Sequence, residues 1–291
     1  MTDKKFLDQK MDRREFLKKS GIGGAGLALG LSGASAFFAN QDRSSKKALD
    51  GDEDISFFGK HQAGITTPMQ KACYLVVLDL HTTDKKEVIQ LFKDWTDYSS
   101  KLVEGELVKK DGSNALLPPM DTGETVGLNP YRLSLTFGVS ADFLKKLGLE
   151  SKRPKLFRDL PPFPKEQLQD KYTGGDIVIQ ACADDEQVAF HAVRNLIRKG
   201  RNKITMKWSK SGFAAIGDRK ETPRNLFGFK DGTANVTKEK EFDKVVWADS
   251  KDWMKGGSYM ALGNLGSYQF TGTGKYLWSL QGIRRSFWQE R

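Results

Sequence analysis

One carboxylate, Asp231, stands between an apolar stretch and a run of small residues. Leu226, Phe227 and Phe229 precede it within the stretch 225–235, and Gly-Thr-Ala follows it. A carboxyl group beside apolar side chains loses hydration, which raises its pKa and suits it to shuttle a proton. Asp-Gly is also a frequent turn dipeptide, because glycine accepts a positive φ and aspartate caps its own backbone. The pattern is therefore compatible with a catalytic acid and with a plain turn.

Cysteine and histidine, which are common nucleophiles and metal ligands, are scarce in this chain. The sequence has two cysteines and three histidines. Two cysteines exclude a disulfide-stapled scaffold and a four-cysteine metal site. Cys73 and Cys182 each lie in an apolar run, which predicts two buried thiols, with a single bridge between them as the alternative. His81 follows a predicted strand and His191 lies on a predicted helix. Neither has metal-ligand spacing to another histidine, so we predict loop or packing roles for both.

Hydrophobic periodicity predicts the elements that position these residues. In order they are a strand at 73–80, a helix capped by Asp84, a strand at 132–137, a short helix at 141–147, a strand at 176–182, a helix whose first turn holds the acidic residues 184–186, and a strand at 204–208. This order is the split βαβ unit of ferredoxin-like folds, an α+β class. The first and third strands are neighbours in that topology, so we expect Cys73 and Cys182 in the same region of the sheet.

The N-terminus has the composition of an export signal. Arg13 and Arg14 precede a Gly/Ala/Leu-rich run at 22–31, and Ala-Ser-Ala follows at 34–36. Paired arginines before a mildly apolar run are typical of twin-arginine signals, although a basic amphipathic start is the alternative. We therefore predict a signal peptide at 1–39, a polar linker at 40–56, and a periplasmic, cell-envelope or extracellular location.

The net charge of +10 is concentrated at the two ends of the chain. Residues 1–36 contribute +3 (seven basic minus four acidic), and residues 262–291 contribute +3 (four basic minus one acidic). The body is left with +4 and no Lys/Arg-rich stripe. A surface of this kind predicts no nucleic-acid partner.

Four stretches, at 58–65, 117–124, 174–186 and 225–235, together resemble one protein family. The chain is similar to twin-arginine-exported dye-decolourising (DyP-type) haem peroxidases, and to their iron-uptake subgroup, also described as deferrochelatases. The resemblance covers residues 57–261 and includes the family's G-x-x-D-G motif, which here reads Gly-Phe-Lys-Asp-Gly. It implies two ferredoxin-like halves of the dimeric α+β barrel type. The first would span 57–220, and 221–261 would begin the haem-binding half.

The resemblance also implies a site. Asp231 would be the distal acid that moves a proton between the two oxygens of hydrogen peroxide, and Gly232, Thr233 and Ala234 would lie against haem b. Further implied partners are an organic reductant, the twin-arginine export machinery, membrane components of iron uptake and a second copy of the chain. His61, within Lys-His-Gln-Ala-Gly, is not the family's haem ligand, and we interpret it as structural or as lining an entry path.

The sequence departs from the family after Ala261. The family's proximal haem histidine and distal arginine lie beyond the Asp-Gly motif, whereas no histidine follows His191 here. Residues 262–291 show no amphipathic pattern. If the codons from Ala261 onward are read one base earlier, permitted codon choices spell a Trp-Asp-Arg segment of the kind that the family has at this point. We therefore hypothesise a frameshifted tail on a C-terminally truncated peroxidase that binds haem weakly or not at all. The alternatives are a natural short relative with a divergent end and a non-catalytic haem-binding or iron-uptake module.

Overall fold

The computed structural model describes residues 55–109, 118–158, 160–161, 164, 168–214, 222–230, 232–262, 265–266 and 278–279. Its main elements are strand β1 (Ala72–Leu80), helix α1 (Lys85–Val103), strand β2 (Ser134–Val139), helix α2 (Ala141–Lys146), strand β3 (Ile177–Ala183), helix α3 (Glu186–Gly200) and strand β4 (Ile204–Phe213). Short 3₁₀ turns lie at Glu150–Lys152 and Asp170–Tyr172.

Both long helices begin at an aspartate that caps them. Asp84 accepts a hydrogen bond from the backbone N–H of Lys86 at 2.7 Å, as its predicted capping role requires. Asp185 accepts from the N–H groups of Gln187 and Val188 at 2.8 and 3.0 Å. These bonds satisfy backbone donors that the first turn of a helix leaves free. The sequence therefore determines where α1 and α3 start.

The four strands form one antiparallel sheet in the order β2-β3-β1-β4. With one helix after β1 and another after β3, this is the ferredoxin-like topology, and the predicted fold class is confirmed. The predicted adjacency of the first and third strands is also confirmed, because β1 pairs with β3 along its length.

The core lies between α1, α3 and one face of the sheet. Its buried apolar side chains include Val76, Leu78, Leu80, Leu91, Trp95, Leu102, Leu135, Ile177, Ile179, Val188, Ala192 and Leu196. The valine, leucine and isoleucine side chains among them each contribute about 1.5–3 kcal/mol relative to exposed ones. The indole Nε1 of Trp95 donates to the carbonyl of Leu196 at 2.8 Å, which ties α1 to α3. Among the described residues, no helix has both the length and the hydropathy that a bilayer span requires.

The opposite face of the sheet is partly covered by residues 62–70. Gln70 donates through Nε2 to the carbonyl of Arg132 and the hydroxyl of Ser134 at 2.9 and 2.7 Å. Gln62 exchanges two hydrogen bonds with the backbone of Phe137, at 2.9 and 3.0 Å. Because β2 is an edge strand, the bonds from Gln62 occupy backbone groups that would otherwise be open to another chain.

Two predicted strand boundaries were wrong. The second strand was expected from Arg132 but begins at Ser134, because Tyr131 and Arg132 have left-handed backbones with φ of 46° and 54°. Arg132 is buried there, and its guanidinium pairs with Asp184 at 3.1 Å. The last strand continues to Phe213, beyond the predicted end at residue 208, because it pairs with all of β1.

Beyond residue 221 the described elements are few. Helix α4 (Glu239–Val245) is followed by two two-residue strands, β5 (Leu265–Gly266) and β6 (Trp278–Ser279), which pair with each other antiparallel. The proposed signal peptide lies outside the described residues. The predicted domain boundaries stay predictions.

Candidate functional site

The stretch 222–230 is a tight loop built around Asn225. The Asn225 carboxamide oxygen accepts from the backbone N–H groups of Phe227 and Phe229, at 3.0 and 3.1 Å. Its backbone N–H donates to the carbonyl of Phe229 at 2.8 Å. Gly228 closes the loop with a φ of 83°, and Arg224 donates to its carbonyl at 2.7 Å. An asparagine side chain that bonds backbone two and four residues ahead rigidifies such a turn.

A second turn follows at once. Gly232 has a φ of 93°, and its carbonyl accepts from the N–H of Asn235 at 2.9 Å. Glycine is favoured at position 232 by its backbone conformation, since other residues rarely adopt such a positive φ. Two left-handed glycines, Gly228 and Gly232, therefore bracket the motif. Asp231 itself lies outside the described residues.

The apolar residues before Asp231 differ in their exposure. Leu226 is 48% exposed and Phe229 is 70% exposed. Phe227 is only half-buried. Apolar side chains desolvate a neighbouring group most where other residues pack over them. Because Asp231 lies outside the described residues, the expected loss of hydration at its carboxylate stays a prediction.

The residues expected to contact haem are small and carry little side-chain bulk. Thr233 and Ala234 are small and exposed, and Gly232 carries no side chain. Such a surface lets a planar group approach the backbone closely. The iron, however, also needs an axial ligand, and the three histidines of the sequence are held on other elements.

Each histidine has its own local partner. The Nδ1 of His61 lies 2.7 Å from the carbonyl of Gly256, and its ring stacks on Trp247 at 3.7 Å between centroids and 6° between planes. His61 thus joins residues 55–70 to the segment 247–256, which follows the motif. This contact agrees with the structural role that was one of the two predicted for it. His81 contacts the hydroxyl of Thr205, which is the loop position expected.

His191 is more than a packing histidine. Its Nε2 lies 2.7 Å from Asp121 Oδ1, and its Nδ1 lies 3.0 Å from the hydroxyl of Thr125. Both ring and carboxylate are almost fully buried. Glu124 lies at the edge of this pair, 3.9 Å from His191, and forms an ion pair with Arg194. We call these five residues the Asp121–His191 cluster.

The pKa values of the cluster's carboxylates follow from these bonds. Burial raises the pKa of Asp121, but hydrogen bonds from His191, Gly123 and Val108 outweigh burial, and the pKa is lowered. Burial likewise raises the pKa of Glu124, while the hydrogen bond from Thr122 and the charge of Arg194 lower it below its usual value. Both groups are therefore carboxylates at neutral pH.

The Asp121–His191 cluster could not be predicted from the sequence. Asp121 and Glu124 lie in the stretch 117–124, whereas His191 is on α3, and nothing in their spacing joins them. Within the residues the structure describes, no group of three or more His, Cys, Asp and Glu has the geometry of a metal site. The Asp121–His191 cluster is therefore a buried polar anchor for the loop 118–128.

The chain matches the family models for the Dyp-type peroxidase N-terminal domain, over residues 62–214, and C-terminal domain, over residues 222–266. It is 36% identical over 266 residues to a protein of Escherichia coli O6:K15:H31 named deferrochelatase. The aligned region covers 86% of this chain and 61% of that relative. The chain thus spans about three fifths of that relative's length.

Solved structures of similar sequence share the fold. A DyP-type peroxidase from Streptomyces coelicolor superposes with a TM-score of 0.65 at 36% identity, over 72% of this chain and 56% of the other. Ferric DtpA from Streptomyces lividans gives a TM-score of 0.64 at 36% identity over the same shares.

Proposed function

Because the chain belongs to the Dyp-type peroxidase family, we propose that it takes part in haem-dependent reduction of hydrogen peroxide with an organic reductant. The observation that carries this proposal is the pair of braced left-handed glycines, Gly228 and Gly232, on either side of Asp231. An acid–base catalyst must be positioned, and the hydrogen-bonded turns at Gly228 and Gly232 support that role for the residue between them.

In this proposal the chain's own residues have separate tasks. Asp231 accepts a proton from one peroxide oxygen and returns it to the other, which promotes cleavage of the bond between them. Gly232, Thr233 and Ala234 offer a flat surface for haem b. When bound, haem supplies the redox chemistry that takes electrons from the reductant.

A related activity that we propose for this chain is release of iron from haem during iron uptake. The support is its similarity to relatives named deferrochelatase. We further propose that residues 1–39 direct export by the twin-arginine route to the periplasm or the cell exterior. The support is the paired arginines, the mildly apolar run and the Ala-Ser-Ala that follows.

The histidines favour a second candidate, a non-catalytic module that retains the fold. His61 and His191 are both engaged by protein groups, and neither lies on the loop that carries Asp231. In this candidate haem is held weakly, because an axial ligand anchors the iron and both ring nitrogens of the buried His191 already have protein partners. This is also the physical reason to expect impaired peroxidase activity from these 291 residues.

Titration of the purified full chain with hemin, followed by a dye-oxidation assay with hydrogen peroxide, separates the candidates. A Soret band with peroxide-dependent turnover supports the peroxidase, whereas a band without turnover, or no band, supports the module. In an active chain Asp231→Asn should lower turnover by about 10²- to 10⁴-fold, which is the usual contribution of a positioned acid–base group. Asp243→Asn, on the exposed face of α4, is the matched control. Equal effects of the two substitutions would refute the role of Asp231.

A further inference from the structure

The two cysteines of the chain lie directly opposite each other in the sheet. Cys73 on β1 and Cys182 on β3 are register partners, and both are free thiols. Directly opposed residues of antiparallel strands have Cα atoms about 4.5–5.5 Å apart, within the range of about 4.4–6.8 Å that a disulfide spans. The backbone therefore places the two sulfurs within bonding reach without a change of register.

The surroundings of the two thiols differ. The same row of the sheet runs from Ser134 through Cys182 and Cys73 to Gly212. At the Cys182 end, the Gln70 side chain donates to the Ser134 hydroxyl and the Cys182 carbonyl, at 2.7 and 3.2 Å, and covers the strand. At the Cys73 end the neighbour is a glycine, which has no side chain to cover the sulfur. Both cysteines are half-buried, more exposed than predicted, so both thiols are partly open to solvent.

The contact between the thiols makes them chemically unequal. A hydrogen bond from the Cys182 thiol lowers the pKa of Cys73, against the opposing effect of burial. The same bond, with burial, raises the pKa of Cys182. Because the thiolate is the nucleophilic form, Cys73 is the more reactive of the two.

We propose that Cys73 and Cys182 form a reversible intramolecular disulfide, with hydrogen peroxide as the oxidant. The Cys73 sulfur attacks one peroxide oxygen. An S–O bond forms, the O–O bond breaks, and the second oxygen takes up a proton and leaves as water. The Cys182 sulfur then attacks the Cys73 sulfur; the S–S bond forms, the S–O bond breaks, and a second water leaves. Two thiols lose two electrons in total, and one peroxide is reduced to two waters.

This step uses neither haem nor Asp231, so it is independent of the proposed function. It gives the first ferredoxin-like half its own reaction with peroxide, at one equivalent per chain. The product links β1 to β3 across their register, at the end of the sheet that Gln70 covers. Thioredoxin-type or small-molecule thiols would reverse it by thiol–disulfide exchange.

The test uses the purified full chain without added haem. The native chain is exposed to one equivalent of hydrogen peroxide, quenched with catalase, unfolded, alkylated with N-ethylmaleimide and weighed by intact-mass spectrometry. The untreated chain should carry two labels, and the oxidised chain should carry none and be two hydrogen atoms lighter. A chain unfolded in urea before exposure should form the bridge far more slowly, because the thiols are distant in sequence.

Two variants assign the roles. Cys182→Ala should stop at a sulfenic acid on Cys73, which dimedone traps, whereas Cys73→Ala should react with peroxide about ten-fold more slowly than the wild type. Limiting alkylation of the native wild type, read by peptide mapping, should label Cys73 first, and it needs no variant. Two alkylated cysteines after peroxide, bridges only between chains, or first labelling at Cys182 would each overturn the proposal.

Discussion

Replacement of the buried carboxylate in Asp121→Asn should destabilise the fold at neutral pH. Asp121 Oδ1 accepts from His191 Nε2 and from the backbone N–H of Gly123, both at 2.7 Å, and Oδ2 accepts from the N–H of Val108 at 2.9 Å. An asparagine in the same place offers one acceptor oxygen and an NH₂ group. If the oxygen stays toward His191, the buried Val108 N–H faces another donor.

The expected magnitude follows from that count. One buried donor left without an acceptor costs about 1–3 kcal/mol, and the remaining bonds lose their ionic character. We therefore expect the free energy of unfolding of Asp121→Asn to fall by about 2 kcal/mol. The matched control is Asp97→Asn, which makes the same chemical change in an exposed i,i+4 pair with Lys101. Such pairs contribute about 0.3–0.5 kcal/mol.

The loss should depend on pH in one direction. The pKa of Asp121 is lowered in the folded state. Its contribution to stability is therefore present above the unfolded pKa, about 3.9, and is lost as the pH falls through the folded value. The difference between wild type and Asp121→Asn should be largest near neutral pH and should shrink below about pH 4.

Urea denaturation followed by far-UV circular dichroism, at pH 7 and at a series of lower pH values, measures both effects. The reasoning is refuted if Asp121→Asn and Asp97→Asn differ by less than about 0.5 kcal/mol at pH 7, below the penalty for one unsatisfied buried donor. A difference that grows as the pH falls would contradict the direction of the pKa shift.

Two further predictions concern packing. Gly175→Ala should cost more than about 2 kcal/mol, because its φ is 116° and a Cβ would lie 2.2 Å from Val77 Cγ1. Gly123 has a φ of 79°, and a Cβ there would have no atom within 4 Å, so Gly123→Ala should cost only about 1–2 kcal/mol. Similar thermal-unfolding midpoints for the two variants would argue against the steric account. His61→Ala should remove the stacked contact with Trp247 and make the segment around α4 more sensitive to limited proteolysis, with cleavage sites identified by mass spectrometry. Unchanged cleavage would show that the stack does not hold this segment.

The first ferredoxin-like half could be predicted because its patterns are local. Capping aspartates, a 3.6-residue apolar period and continuous apolar runs each act over one element. Asp84 caps α1 as expected, whereas Asp185, expected inside the first turn of α3, caps that helix instead. The boundaries that failed depended on distant partners. Arg132 leaves the strand to pair with Asp184, and β4 extends because β1 lies beside it.

The candidate site could be predicted only in part. Glycine at positions 228 and 232 indicates left-handed turns, since other residues rarely take that backbone. Exposure of Leu226 and Phe229 could not be foreseen, because burial depends on what packs over a side chain rather than on its type. The Asp121–His191 cluster was missed because its two halves come from separate elements, which only the fold brings together.

The sequence by itself determined the family, the order of strands and helices, and the residue types of the motif around Asp231. Local physics is enough for these: periodicity, capping and the conformational freedom of glycine are written in neighbouring residues. The tertiary structure alone decided that Cys73 faces Cys182 in register, that His191 is bound by Asp121, and that His61 stacks on Trp247. Contacts of this kind join residues far apart in the chain, so only the folded backbone fixes their distances and thus their chemistry.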